Sequence, residues 1–451
     1  MPTVLIESFD ATPLSSATNR PASSGKILLQ IVIGALVLRL IVVLFAFRGI
    51  TDPSGYHQEF GQEVGWVARS IALHHGFSSP FFPQTGPTAY LPPLYPYLLA
   101  VIFRAFGIYT AKSAFTILSL NSLFSALTCV PIYHMTRYTH SARIALFAAM
   151  AWAVYPFAIY FSAARVWEYS LTSLLFTTCF LIVQRLHLET RSMAWLAFGL
   201  LYGITILSNP AALSVFPFLL LLSLWKTHRN GGRWLRNGLV AVLGILTVIM
   251  PWTIRNYRTL HILCPVRDSL WAELWAGNNG DTSNPTLAWT HPASDAHEMD
   301  LYQTLGEIPY LSQKHAMAVT YLTHHPVAFA GLTLRRVVCY WTGFWSLEHR
   351  YVRAEPFQIP NVFFCSSISL LMLLGARRWW RANRATSLPY LILIGIFPIT
   401  YYITHALMDY RQPIEPEIVI LVTIGILSLA RAKDLPQDSP EQPHEREMAV
   451  V

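Results

Sequence analysis

Two glutamates raise the question of chemistry first. Glu59 and Glu63 stand in the stretch EFGQEVGWVARSIALHHGF, between two long apolar segments. At a spacing of four they share one face of a helix. A carboxylate at a membrane face can accept the proton of an attacking hydroxyl or amine. The same pair could equally be the solvated face of a short helix. On the catalytic reading Glu63 is favoured as the base and Glu59 as its support or alternate. Further polar groups recur at the ends of apolar runs. They are Arg165 and Glu168 in ARVWEYS, Arg255, Asn256 and Arg258 in PWTIRNYR, Arg267, and Asp409, Tyr410, Arg411 and Glu415 in MDYRQPIEPE. Arginines can grip a phosphate through paired, charge-assisted hydrogen bonds and stabilise it as it leaves. Inverting attack on a sugar C1 requires one base and one stabilised leaving group. No cofactor is required, although a divalent cation is left open.

Each group also has a structural reading. Glu168 and Arg165 can form a local i,i+3 ion pair. Arg255 and Arg258 can anchor a helix end at the interface. Tyr410 and Arg411 precede Pro413 in a turn rich in Tyr, Arg, Glu and Pro, which favours a site over a lone surface cation. His57, His74 and His75 are expected at the surface or hydrogen-bonded rather than on a metal. No Cys/His ligand pattern suggests zinc.

The elements that position these groups follow from composition. The chain has 451 residues, 53% hydrophobic and only 12% charged. Soluble domains carry about 25% charged residues, so this is an all-α polytopic membrane protein. Its net charge of +8 reads as topology, with basic loops on the cytoplasmic side, and no basic–aromatic platform points to nucleic acid. Residues 1–26 are polar and expected to be disordered. A first span at about 27–47 carries Arg39 near its centre, where it should face the bundle and contact carbonyls or an ion-pair partner. The outer loop 49–111 then holds the acidic helix and a proline-punctuated one ending at Phe106, both expected at the membrane surface. Pro83 is among its turn residues. Spans at about 113–136, 143–161, 167–185, 193–208, 210–225 and 237–254 complete a first unit, 27–254. Their basic turns, at Arg137 and Arg143, Arg185 and Arg191, and Lys226 to Arg236, should be cytoplasmic.

A longer outer loop, 255–358, follows, with Trp252, Trp271, Trp275 and Trp289 suited to an interface belt. The run 326–345 is long enough to cross. Crossing would place Arg377, Arg378, Arg381 and Arg384 outside, so an interfacial helix is expected there. Three last spans, at about 360–376, 388–407 and 415–430, fill 359–431, and 432–451 is a polar cytoplasmic tail. This makes about ten spans with both termini cytoplasmic. Cys129, Cys179 and Cys365 fall in spans. Cys264 and Cys339 fall outside, and a pairing between them is left open.

The motifs FGQEVGWVARSIALHHGFSSPF, TGPTAYLPPLYPYLLAVIFRAFG, PWTIRNYRTL with LWAGNN, and MDYRQPIEP resemble the bacterial members of glycosyltransferase family 39. These are relatives of protein O-mannosyltransferases and of the lipid A aminoarabinose transferase. The resemblance implies a GT-C-type bundle and transfer from a polyprenyl phosphate sugar donor to a protein, lipid or glycan acceptor. It also implies a bacterial inner membrane, with the active site facing the periplasm. The family's usual loop Asp is replaced by Phe60, and its Lys before the Pro-Pro pair by Leu91. The base is therefore sought at Glu63 or Glu59. The lipid phosphate is sought at Arg255, Arg258 and Arg411, with Arg165, Glu168 and Tyr410 as further substrate contacts. A lipid or solute transporter is the rival of another class. It would require polar groups along a mid-membrane path, and the spans offer few apart from Arg39. A glycan ligase or polymerase would share the Arg-rich outer face.

Overall fold

Arg39 shows how this chain handles a charge inside an apolar bundle. The computed structural model describes residues 21–51, 58–81, 84–280, 290–348 and 358–433. His57, Pro83, Trp289 and the terminal segments 1–20 and 434–451 lie outside the described residues. The first helix, α1 (Pro21–Ala46), takes in the last six residues of the segment expected to be disordered, 21–26. Arg39 on it is fully buried. Its Nη1 donates to the carbonyls of Ala35 at 3.1 Å and Ala153 at 2.8 Å. Its Nη2 donates to Trp152 O at 3.2 Å, and its Nε to Ser125 Oγ at 3.0 Å. The carbonyls of Trp152 and Ala153 close α6 (Ala142–Ala153), just before Pro156 starts α7 (Pro156–Ala163) at a bend of 47°. A proline cannot donate to the preceding turn; Arg39 meets Ala153 O there and adds a second donor to Trp152 O, which also accepts from Tyr155 N–H at 3.2 Å. The contact with carbonyls expected from the sequence is present.

Regular structure among the described residues is helical, apart from one isolated bridge between Ser78 and Pro87. Seven segments are long and apolar enough to cross a membrane: Ser24–Ile50, Ala111–Thr139, Tyr169–Leu188, Trp234–Leu260, Ile359–Ala382, Arg384–Ile403 and Met408–Ala430. The bent pair α6 and α7 makes an eighth. The expected ten is therefore too many. The apolar run from 193 to 225 is cut at Asn209–Pro210, where the Asn209 side chain accepts from Ala211 N and starts a 3-10 turn. Its two pieces, Ser192–Ser208 and Phe216–Arg229, are 17 and 14 residues long, short of the ~20 that a span requires. Pro326–Thr342 does not qualify as a span. Its Arg336 is buried and donates to Asn278 Oδ1 at 3.0 Å, to Tyr402 O at 3.2 Å and to Gly277 O. All five cysteines are buried and unpaired, so Cys264 and Cys339 form no disulfide.

The last spans pack by close backbone approach. Gln358–Ala382 and Glu415–Lys433 cross at Gly375 and Gly425. A Cβ on Gly375 would collide with Leu421 O, and one on Gly425 with Leu371 O. Small residues of this kind let membrane helices gain dispersion contacts where lipid supplies no hydrophobic drive. Gly375→Ala is expected to force this pair apart and lower the thermal midpoint in detergent. Gly395→Ala, which meets nothing within 4 Å, should be neutral or stabilising, since alanine favours a helix over glycine by about 1 kcal/mol. Equal midpoints for the two proteins would disprove the crossing.

Candidate functional site

A strained turn sets the position of Glu63. Gly61 has φ +86° and Gln62 φ +46°. A Cβ at Gly61 would strike the carbonyl of Val166, so the turn lies directly against the segment before Tyr169. The chain then enters α2 (Glu63–Ala72), with Val64 N–H donating to Gly61 O at 3.0 Å and Trp66 N–H to Gln62 O at 3.0 Å. This helix was expected at a membrane surface. It is instead covered: Val64, Val67, Ala68 and Ile71 join one cluster with Leu99 and Phe103 of α3 (Leu94–Phe106). The two acids do not share a helix face either. Glu59 lies in a separate 3-10 turn, Gln58–Phe60, and its half-exposed carboxylate is 3.9 Å from the equally exposed Arg165. A surface pair of this kind contributes little to stability.

Glu63 is buried, with Oε1 3.2 Å from His291 Nε2. Ala293 N–H donates to His291 Nδ1 at 3.2 Å. With Nδ1 facing that N–H, it is Nε2 that donates to the carboxylate. Burial raises the proton affinity of Glu63, with the charge of Glu273 adding to it; His291 and the Glu63 backbone N–H oppose the rise.

Around this acid the outer loop and the span ends assemble a polar wall. The helix Leu270–Gly277 brings Glu273, whose Oε1 is 3.6 Å from Arg267 Nη2 and whose Oε2 is 3.4 Å from His405 Nδ1. His405 Nε2 is 2.6 Å from Tyr410 OH. Tyr401 stacks on Tyr410 at 4.8 Å, and Tyr169 OH donates to Asp409 at 2.7 Å. Burial pushes Glu168 up to about 7; its own backbone N–H and Arg267 pull it down, while Asp409 and Glu63 push it further up. Burial lowers His405, against the pull of Glu273. Glu63 thus feels the charge of Glu273, and Glu168 the charges of Arg267, Asp409 and Glu63.

The remaining expected phosphate ligands are elsewhere. Arg411 is fully buried, with Nε 2.6 Å from Glu415 and Nη1 donating to Trp341 O at 3.2 Å. Tyr155 OH donates to the same Glu415 at 2.8 Å. Arg255 donates to Thr88 O and Phe77 O, each at 2.6 Å, and lies over the Trp252 ring. Arg258 is exposed. Arg255 and Arg411 are engaged by carbonyls and by Glu415, so the guanidinium groups left beside the acids are Arg267, 3.6 Å from Glu273, and Arg165, 3.9 Å from Glu59. Arg267 was a candidate without a role, and Glu273, His291 and His405 were given none. Glu273 directly precedes LWAGNN, which was the available signal; nothing in the sequence marks His291. Among the described residues, no group of three or more His, Cys, Asp or Glu is placed to hold a metal ion.

The loop clamped by Arg255 is held a second time. Ala89 N–H donates to Glu307 Oε1 at 2.6 Å, Tyr302 OH to Oε2 at 2.6 Å, and Thr88 Oγ1 to Oε2. Asp268 N–H donates to Ala89 O at 3.1 Å. Its carboxyl is buried beside that of Glu307, so burial first, and then Glu307, push Asp268 up to about 8.

Residues 91–254 match the family described as dolichyl-phosphate-mannose-protein mannosyltransferase, the group to which the motifs point. No curated protein matches the chain significantly. The oligosaccharyltransferase AglB of Archaeoglobus fulgidus, in complex with an inhibitory peptide and a dolichol-phosphate, superposes with a TM-score of 0.53 at 12% identity, covering 93% of this chain and 52% of that one. The Archaeoglobus fulgidus oligosaccharyltransferase tethered with an acceptor peptide gives 0.51 at 12% identity, covering 92% and 50%. The chain spans about half the length of these archaeal proteins, and the likeness is one of fold, of the GT-C type. ArnT from Cupriavidus metallidurans, bound to undecaprenyl phosphate, gives 0.38 at 14% identity, covering 93% and 82%.

The Asp268–Glu307 pair makes stability depend on pH. A carboxyl whose folded pKa is raised stabilises fully below its unfolded value, about 3.9 for Asp, and loses that contribution as pH rises through the folded value. The thermal midpoint should therefore fall between about pH 4 and about 8. Asp268→Asn, which cannot ionise, should flatten this slope. An unchanged slope in differential scanning fluorimetry would count against the shared-proton clamp.

Proposed function

We propose that this multi-pass membrane protein is an inverting glycosyltransferase that takes its sugar from a polyprenyl-phosphate-linked donor. The family match over residues 91–254 and the GT-C likeness support the class. The observation that carries the mechanism is Glu63, a buried carboxylate of raised proton affinity held by His291 and facing a wall that contains Arg267. A raised pKa brings a carboxylate nearer the working pH and makes it a better base.

Glu63 accepts the proton of the acceptor's hydroxyl or amine as that atom bonds to the sugar C1. The bond from C1 to the phosphate oxygen breaks, and its electron pair leaves on the lipid phosphate. Arg267 neutralises the growing charge on that phosphate, with Arg165 and Arg258 as exposed cations at the rim. Glu168, Asp409 and Tyr410 orient the sugar or acceptor by hydrogen bonds. Glu59 remains the alternate base, and Arg255 acts by holding the loop. The spans' basic turns at the other ends, at Arg137, Arg185, Lys226 and Arg377, support a bacterial inner membrane location with the acids facing the periplasm.

Sugar transfer from a labelled lipid-linked donor tests this reading. Glu63→Gln should lower kcat by about 10²–10⁴, and Glu59→Gln should leave most activity; full turnover in Glu63→Gln would reject the base. Removing the His291 donor should leave Glu63 protonated to higher pH. The rise of kcat/KM with pH should then move to higher pH in His291→Ala, and a shift the other way would exclude His291 as the positioning residue.

A further inference from the structure

The acids occupy one end of the bundle, while a cavity of about 510 Å³ opens at the other, a volume typical of a ligand pocket. Its place follows from the spans that border it. Tyr138 ends the span that starts at Ala111, and His187 ends the one that starts at Tyr169, beside Asp409. Thr386 begins the span whose last residues meet Arg336 near His405. Lys226, Arg229 and Asn230 supply another wall. Two cations thus meet at one mouth. Lys226 is half-buried and burial lowers its proton affinity, with no acid contributing. Arg229 lies 5.1 Å over the Trp225 ring. Among the described residues, neither cation is in an ion pair with a carboxylate. A recess of about 10 Å³, lined by Val183, Leu219, Leu222 and Ser223, adjoins the cavity and shares Gln184, His187, Lys226 and Pro389 with it.

We propose that this pocket binds the phosphate group of an anionic ligand, with a lipid headgroup from the leaflet opposite the acids and a soluble phosphate ester as its two sources. Basic pockets between helix ends at the membrane surface recognise such headgroups. The site is separate from the glycosyl-transfer reading and is tested without it. The full-length protein is placed in phosphatidylcholine nanodiscs containing phosphatidylglycerol, and bound phosphatidylglycerol is counted by native mass spectrometry. The wild type should retain it over phosphatidylcholine. Lys226→Gln with Arg229→Gln should lose about tenfold in occupancy, and Lys226→Arg should keep it. A double variant with an unchanged melting temperature and unchanged lipid retention would overturn the proposal. Should the double variant not fold, Arg229→Gln, at an exposed position, carries the test: a severalfold loss supports the site and full retention rejects it. Displacement of the lipid by glycerol phosphate would show that phosphate alone is recognised; resistance to it would assign the site to the lipid. Both arms require the two cations.

Discussion

The fold depends on where its buried guanidinium groups find acceptors. An arginine in an apolar bundle is tolerable only when its donors are met, and helix breaks leave carbonyls that have lost their own donors. Arg39 meets the carbonyls at the break before Pro156, and Arg336 those at the ends of the helix carrying Glu273 and of the span before His405. Arg411 joins the turn before the last span to Trp341 and Glu415. In each case one defect satisfies another, and the match holds elements distant in sequence at one relative position.

This arrangement leaves the end of the bundle that holds the acids with few free cations. Arg255 and Arg411 are committed to structure, while Glu63, Glu168, Glu273 and Asp409 share one wall with Arg267. Burial and the neighbouring acids both raise the proton affinity of Glu63 and Glu168. A negative group entering such a wall meets resistance unless protons or Arg267 compensate. In the proposed reaction Glu63 takes the hydroxyl proton while His291 holds one of its oxygens, and Arg267 and Arg165 are the guanidinium groups beside the acids.

Composition alone determined that this chain is a helical membrane protein, because so few charges leave no soluble surface. It also determined that Arg39 must face inward, and the motif around Glu63 singled out an acid that is indeed buried. Span number was less legible, since Asn209 and Pro210 interrupt an apolar run whose hydropathy alone reads as continuous crossing. The partners of Glu63 were decided only by tertiary structure. His291 and Glu273 come from the outer loop, more than two hundred positions away in sequence, and no local period links them to α2. Arg255, Arg267 and Arg411 are alike as sequence, each a cation near a span end. Which is consumed by carbonyls and which is left beside the acids depends on where helix breaks place unpaired acceptors, and that is a property of the packed bundle.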